Sequence, residues 1–450
     1  MPTAFWLRAP ATRQFRRFLL SRLLSILVLE TTSVAVGWQV YALTHAPLSL
    51  GLVGLAQFLP ALGLTLLAGA AADRFERRRI VLVCHALFGL VALCLGLAGL
   101  RGAPPLPAIY AVLVLLGSAR AFNAPAAQAL MPALVPTESF SSAVAVNSSV
   151  FQVGSIAGPA LGGLLYALVG NAEPVYFLAA ALSVVDVAAL WGVHPRVEKR
   201  AARAVSWATV LAGVRYVWGH KVILGCISLD LFAVLLGGAA ALMPVFAQDV
   251  LSCGPLGLGF LRGAPAVGAG LTGLWLARHP LTRRAGPSML VGVALFGVCT
   301  VGFGLSKSYP LSLALLAVMG AADMVSVFVR LTLVQISPPP ELRGRVNAVN
   351  MLFLGASNEL GEFESGVTAQ WFGAVRAVVL GGVGTLLVVA LWLRLFPGLA
   401  KVDTLPVGEG RPTPGEAAAE ADAEMSAGIG PHDVCGEGPE RLGDTGAPSG

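Results

Sequence analysis

The sequence predicts an all-α membrane protein of twelve transmembrane helices, arranged as two six-helix repeats. Three observations carry that expectation. The 450 residues are 56% hydrophobic and only 12% charged, with a mean hydropathy of +0.77. About 12 apolar runs, most of them close to the 20 residues that cross a bilayer core, follow one another along the chain. The second half also repeats the first when the sequence is slid against itself by about 204 residues.

Charge content excludes the soluble classes. A water-soluble domain carries about 25% charged residues. A chain with half that share cannot cover a hydrated surface, so lipid is its main solvent and the bilayer its first partner. The runs in the first half cover residues 18–43, 48–71, 80–100, 106–130, 141–169 and 175–193. Those in the second half cover 222–250, 256–276, 288–305, 311–336, 346–372 and 375–395. A β-barrel would instead show short alternating segments. The first run is longer than a signal-peptide core and is expected to remain as the first helix.

Basic residues orient the spans, because Lys and Arg accumulate in cytoplasmic loops. One set of loops holds Arg13, Arg16 and Arg17, then Arg74 and Arg77 to Arg79, then Arg196 to Lys221. It continues through Arg278, Arg283, Arg284, Arg343 and Arg345 to Arg394 and Lys401. The other side holds little beyond Arg101, Lys307 and Arg376. Both termini are therefore expected in the cytoplasm. The net charge of +6 reports this topology and not a nucleic-acid partner. The six cysteines form no CxxC or Cys/His cluster, so neither a disulfide framework nor a metal site is expected, and nothing calls for a cofactor.

The repeat is ordered. Gly54, Pro60, Ala61 and Gly63 meet Gly259, Pro265, Ala266 and Gly268. Gly69, Arg74 and Arg79 meet Gly273, Arg278 and Arg283; Pro136, Ala145, Val146 and Asn147 meet Pro339, Ala348, Val349 and Asn350. The expected organisation is a six-helix bundle over residues 1–195, a cytoplasmic linker over 196–221, a second bundle over 222–400 and a tail over 401–450. Within the linker, Trp207, Leu211, Val214 and Trp218 alternate with Arg215 and His220, which fits a short interfacial helix as well as an ordinary connector. The tail, rich in Pro, Gly, Ala and acids, cannot offset the entropy of ordering and is expected to be disordered. Two related bundles suggest a site near the bilayer midplane that faces each side in turn as the bundles rock.

Three motifs stand out. Between the second and third runs the chain reads Gly69-Ala-Ala-Ala-Asp73-Arg74-Phe-Glu76-Arg77-Arg78-Arg79. A carboxylate at a helix end can pair with an arginine or face another helix's N-terminus, so Asp73 and its arginines suit a cytoplasmic gate. In the fifth run, Gly154, Gly158, Pro159, Gly162 and Gly163 make a face of small residues that admits a second helix, with a proline that permits a bend. Charges inside the spans are costly and point to function. Glu30, Arg120, Asp230, Asp323 and Glu362 are the candidates for a proton or substrate path, and the repeat sets Arg120 opposite Asp323. Glu359, Glu362 and Glu364 crowd one stretch, with Glu359 and Glu362 on one helical face and Glu364 on another.

The loop resembles the signature G-x-x-x-D-R-x-G-R-R of the major facilitator superfamily, with Glu76 in place of a glycine and Ala277 opposite Asp73 in the second half. The glycine–proline face resembles that superfamily's antiporter motif, and Arg120 its helix-4 arginine. Gly37-Trp-Gln-Val-Tyr41, the stretch from Gly51 to Pro60 and Asp230-Leu-Phe are similar to a bacterial branch holding the enterobactin exporter and drug:proton antiporters. The resemblance implies an inner-membrane secondary transporter that works as a monomer. It exports a small amphipathic molecule, of drug or siderophore type, in exchange for protons. Two other readings stay open: a proton-coupled uptake symporter, and a non-transporting sensor or scaffold acting through the tail. No nucleophile–base pair or nucleotide-binding loop marks an enzyme. Deleting residues 404–450 separates the readings: a transporter is expected to move its cargo at an unchanged rate, whereas a scaffold acting through the tail loses its function.

Overall fold

The structure, a computed structural model, describes residues 13–102, 104–136, 139–194, 207–279 and 281–403. The expected tail therefore lies outside the described residues from position 404 onward, as does the linker from 195 to 206. Helices make up nearly everything described, as a bilayer demands: hydrocarbon offers backbone groups no partner, so each span must satisfy its own.

The first half runs α1 (Arg13–Thr44), α2 (Pro47–Arg74), α3 (Arg77–Gly99), α4 (Leu106–Leu130), α5 (Phe140–Val169) and α6 (Glu173–Trp191). Then come α7 (Trp207–Gly219) and α8 (Lys221–Leu236). A 3₁₀ turn (Ala239–Leu242), α9 (Met243–Val245) and a π-helical turn (Phe246–Val250) complete the seventh span. The second half continues with α10 (Gly254–Arg278), α11 (Ala285–Leu305), α12 (Tyr309–Ile336), α13 (Pro340–Phe372), α14 (Ala374–Leu395) and the short α15 (Pro397–Ala400).

Among the described residues, ten spans are long and apolar enough to cross a membrane by composition alone. The other two long helices owe their weaker signal to identifiable residues. In α10 the apolar content is diluted by seven glycines. In α13, Arg343, Arg345, Glu359, Glu362 and Glu364 interrupt it. The seventh run of the sequence is one apolar stretch but not one helix. It breaks after Leu236 at Gly237-Gly238 and resumes at Ala239.

The repeat is visible in the packing. In the first half α1 packs on α5 and α6, α3 on α4 and α6, and α2 on α4. In the second half α8 packs on α13 and α14, α11 on α12 and α14, and α10 on α12, which is the same set of pairs one repeat later. Gly117 lies so close to α2 that a Cβ would sit 2.2 Å from the Gln57 carbonyl oxygen; its counterpart Gly320 lies as close to α10, 2.0 Å from that of Pro265. Gly170 after α5 and Gly373 after α13 correspond as well, and both take the positive φ (81° and 84°) that glycine adopts without strain. Between the halves, α5 packs on α10 and α2 on α13, the two arrangements again being repeats of each other.

α7 belongs to the second bundle. Val217 is buried, Gly213 abuts the Arg345 backbone at the start of α13, and the Tyr216 hydroxyl donates to the Ser337 carbonyl at 3.3 Å.

Packing of this kind leaves no room for a methyl group. Gly320→Val is expected to destabilise the protein by about 1–3 kcal/mol, the usual cost of overpacking. Gly63→Val, at a position with open space around it, is the control. Thermal melting in detergent checks the difference, and equal melting temperatures would contradict the helix contact.

Candidate functional site

A cavity of about 950 Å³ lies between the two halves. Its walls follow from helix periodicity. On α1, Arg22, Ile26, Leu29, Glu30, Ser33 and Gly37 form one stripe along the cavity. On α13 the stripe is Gly355, Asn358, Glu359 and Glu362. Gln57 of α2, Arg120 and Asn123 of α4, Arg262 of α10 and Asp323 of α12 complete the polar lining, with Phe18, Phe151, Phe296 and Met319 among the apolar walls. The cavity lining is thus both apolar and charged.

It reaches Phe18 and Arg22 near the start of α1 and Gln128 and Met131 at the end of α4, on the side where the arginine-rich loops lie. The halves meet on the opposite side. There a Cβ on Gly163 would sit 2.5 Å from the Pro255 carbonyl oxygen, and one on Gly259 would sit 2.5 Å from that of Pro159. In the other seam a Cβ on Gly366 would sit 2.7 Å from the Gly51 Cα. The Tyr41 hydroxyl donates to Asp249 in the π-helical turn, and Gln248 Nε2 donates to the Trp38 carbonyl at 3.4 Å.

The glycine–proline face of α5 has two jobs. Gly154, Gly158 and Gly162 recur every four residues and receive α1. A Cβ on Gly158 would sit 2.5 Å from the Glu30 Cβ, so this glycine is what lets Glu30 stand at that depth. Gly163 and the Pro159 carbonyl face the other way, onto α10.

Charges cross the cavity. Arg120 Nη1 lies 3.3 Å from Glu359 Oε1, a pair linking α4 to α13, and donates to Gln57 Oε1 at 3.0 Å. With Arg120 45% exposed, such a pair contributes about 0–1 kcal/mol, weak enough to exchange partners. Arg262 Nη1 donates to the Ser33 hydroxyl, joining α10 to α1. Glu362 lies over α2 at Gly54, where a Cβ would come 2.8 Å from its Oε2. Glu364 is outside the lining and accepts from the Thr368 hydroxyl at 2.7 Å.

Of the five path candidates, the structure therefore brings Glu30, Arg120, Asp323 and Glu362 to one cavity. Asp230 is not on its wall. It is buried behind Asp323 and paired with Arg330 of α12. Arg262, a charge within a span that the sequence reading noted without ranking, also lines the cavity, and Arg22 is a lining cation that it missed.

The arginine-rich loop, in this state, binds only first-half partners among the described residues. Arg77 Nη1 donates to the Ala129 carbonyl at the end of α4 (3.1 Å). Arg78 donates to the carbonyls of Leu190 and Trp191 at the end of α6 and lies over the Trp191 ring. Glu76 pairs with Arg79 at 2.6 Å. Asp73 and Arg74 stand in the last turn of α2, with Gly69 one turn before. Asp186 is held in the first bundle by His85 Nδ1 (2.9 Å) and the Ser21 hydroxyl.

Comparison with known proteins fits this geometry. A family model described as transmembrane secretion effector matches residues 8–417. The enterobactin exporter EntS of Shigella dysenteriae serotype 1 is 29% identical over 378 residues, covering 83% of this chain and 86% of that protein, and EntS of Escherichia coli O139:H28 gives the same figures. Among solved structures, a bacterial homologue of the human lysosomal transporter Spinster, inward-facing and occupied, superposes with a TM-score of 0.69 at 14% identity, over 85% of this chain and 96% of that one. A D-xylose–proton symporter gives 0.67 at 15% identity, over 86% and 99%. At these identities the solved structures speak for the fold.

The contacts opposite the arginine-rich loops are expected to act as a latch. Asp249→Asn should raise the labelling of a cysteine placed at Val53 by a thiol reagent applied from that side. Unchanged labelling would show that the Tyr41–Asp249 bond does not hold that side closed.

Proposed function

We propose that this chain, which belongs to the transmembrane secretion effector family of major facilitator transporters, exports a small amphipathic molecule of the siderophore type in exchange for protons. Membership makes it a multi-pass secondary transporter of a small molecule. The cargo, the direction and the coupling ion are the parts proposed. The observation that carries the proposal is the seating of Glu30 against Gly158: the antiporter-type glycine face sets a carboxylate into the large cavity between the halves. The relatives named enterobactin exporters support siderophore-type cargo.

In this reading the membrane is the bacterial inner membrane, the arginine-rich side is cytoplasmic and both termini lie there. The structure then has its cavity turned to the cytoplasm, ready to load cargo. The path for cargo and protons runs along Glu30, Arg120, Asp323 and Glu362, with Asp230 behind it. Cargo entry displaces the weak Arg120–Glu359 pair, the halves rock about the two glycine seams, and the Tyr41–Asp249 bond opens. In the outward-facing state Asp73 and Arg74 close the cytoplasmic side by meeting the second half, while Arg77 and Arg78 keep α2 and α3 tied to α4 and α6. The first half alone carries this acidic gate, since Ala277 stands opposite Asp73.

Inverted membrane vesicles with an acidic interior test the reading. Enterobactin added outside is expected to accumulate inside and to discharge the proton gradient as it does so. Glu30→Gln should reduce accumulation to the background of vesicles lacking the protein. Asp73→Asn should leave cargo binding intact while slowing turnover. Accumulation that ignores the gradient would remove proton coupling from the account, and accumulation only in right-side-out vesicles would reverse the direction.

A further inference from the structure

At the mouth of the cavity stands an arginine that no described residue answers. Arg22 shares the α1 stripe with Ile26 and Glu30 and lies about 12 Å nearer the arginine-rich side than Glu30 does. Among the described residues its guanidinium makes no hydrogen bond and no ion pair. Other arginines at that end of the first half are engaged. Arg17 Nη1 donates to the Gly192 carbonyl at 2.7 Å, and Arg77 and Arg78 donate to carbonyls at the ends of α4 and α6. The carboxylate of Asp186, which accepts from the adjacent Ser21 hydroxyl, is taken by His85.

Three further observations bear on what Arg22 is for. The first is a pair of orphaned acceptors. Asn123 of α4, 7% exposed, and Asn147 of α5 both line the cavity, and the amide oxygen of each is buried without a partner. Buried polar groups normally find partners, and an unpaired guanidinium in a low-dielectric wall is costly. The second is level. Arg22, Asn123 and Asn147 each stand about 10–14 Å along their helices from the arginine-rich end, so α1, α4 and α5 bring them to one depth. The carboxylates of the lining, Glu30, Asp323, Glu359 and Glu362, all stand about 20 Å or more from that end. The mouth is therefore a positive stretch of wall with its acids set deeper. The third is the apolar surface beside it: Phe18 of α1, Phe151 of α5 and Met131 after α4 line the same part of the cavity. An arginine that served only to anchor the topology would lie on the lipid face; Arg22 lies on the cavity stripe.

We propose that Arg22, Asn123 and Asn147 form a subsite for an organic anion, an acidic oxygen group (a carboxylate or an ionised phenol) carried on an aromatic body. The proposal rests on the reading that cargo loads from the arginine-rich side, and it narrows the class of that cargo. The guanidinium takes the acidic oxygens in charge-assisted hydrogen bonds. N–H or O–H groups next to the acid donate to the two asparagine oxygens. The ring lies against Phe18 and Phe151, where an aromatic face buries a large apolar area. Cargo with a cationic head gains nothing here, so the subsite sorts molecules by charge before they reach the carboxylates at mid-depth.

Isothermal titration calorimetry on the full-length protein in phosphatidylcholine nanodiscs tests the subsite, with 2-naphthoate and the uncharged 2-naphthamide as probes. Wild type is expected to bind naphthoate at least about tenfold more tightly than naphthamide, the usual gain from a hydrogen bond to a charged group. Arg22→Gln should abolish that preference by weakening naphthoate alone, and Arg22→Lys should restore part of it. Asn147→Asp, which keeps the arginine but sets a second negative charge in the subsite, should also weaken naphthoate and spare naphthamide. Size-exclusion profiles confirm that each variant is folded. Equal affinity of wild type for the two probes overturns the proposal, as does a preference that survives in Arg22→Gln but is lost in Arg262→Gln, which would place the anion deeper. Competition by phosphatidylglycerol added to the nanodiscs would also overturn it, by giving the subsite to a lipid headgroup. If naphthoate binding depends on Arg22 while enterobactin fails to accumulate in inverted vesicles, the subsite stands and siderophore export falls; the converse result sinks the subsite and leaves export in place.

Discussion

Two helix crossings at which no side chain fits hold the halves of this molecule together. At one, Gly163 of α5 meets Gly259 of α10; at the other, Gly51 of α2 meets Gly366 of α13. Lipid offers no hydrophobic drive for helix association, so such contacts depend on close van der Waals approach and weak Cα–H···O contacts between backbones. Few side chains reach across them, Glu362 over Gly54 at one and Gln152 to the Ala266 carbonyl at the other being the exceptions. The position of the seams, on the side away from the arginine-rich loops, decides where the cavity lies and which way it faces.

The same economy sets the chemistry. A glycine at 158 allows Glu30 to stand in the cavity, and a glycine at 54 allows Glu362 to lie against α2. Polar contacts also cross between the halves: Arg262 of the second half donates to Ser33 of α1, while Arg120 of the first half meets Glu359 of the second. The cavity wall is therefore stitched by weak polar contacts that cross between halves, whereas the buried pairs stay within one half. Asp186 with His85 belongs to the first, and Asp230 with Arg330 to the second. The polar contacts that cross between the halves are part-buried, and those within each bundle are fully buried.

Much of this was legible in the sequence, for physical reasons. Hydrocarbon imposes long apolar helices, so the spans announce themselves; the repeat preserves glycines where helices cross, so Gly54 and Gly259 align. The glycine–proline face of α5 was readable because its spacing of four is itself the contact surface. Other features were hidden because they depend on residues far apart in sequence. Nothing in the chain tells that Tyr41 meets Asp249, 208 positions away, or that Arg330 takes Asp230 off the cavity wall. The break in the seventh span lay in plain view at Gly237-Gly238, but hydropathy alone reads through it because both flanks are apolar. α7 was equally ambiguous by pattern, and only its packing on the start of α13 attaches it to the second bundle.

The central claim is that the halves pivot about the glycine seams to expose one cavity alternately. Electron spin–spin distances measured in lipid nanodiscs test it most directly. One label pair would sit at the ends of α4 and α10 near the arginine-rich loops, and another at the outer ends of α1 and the seventh span. Addition of enterobactin should shorten the first distance and lengthen the second together. Two distances that stay fixed, or that lengthen in concert, would contradict a rocking mechanism and leave the cavity without a route to the other side.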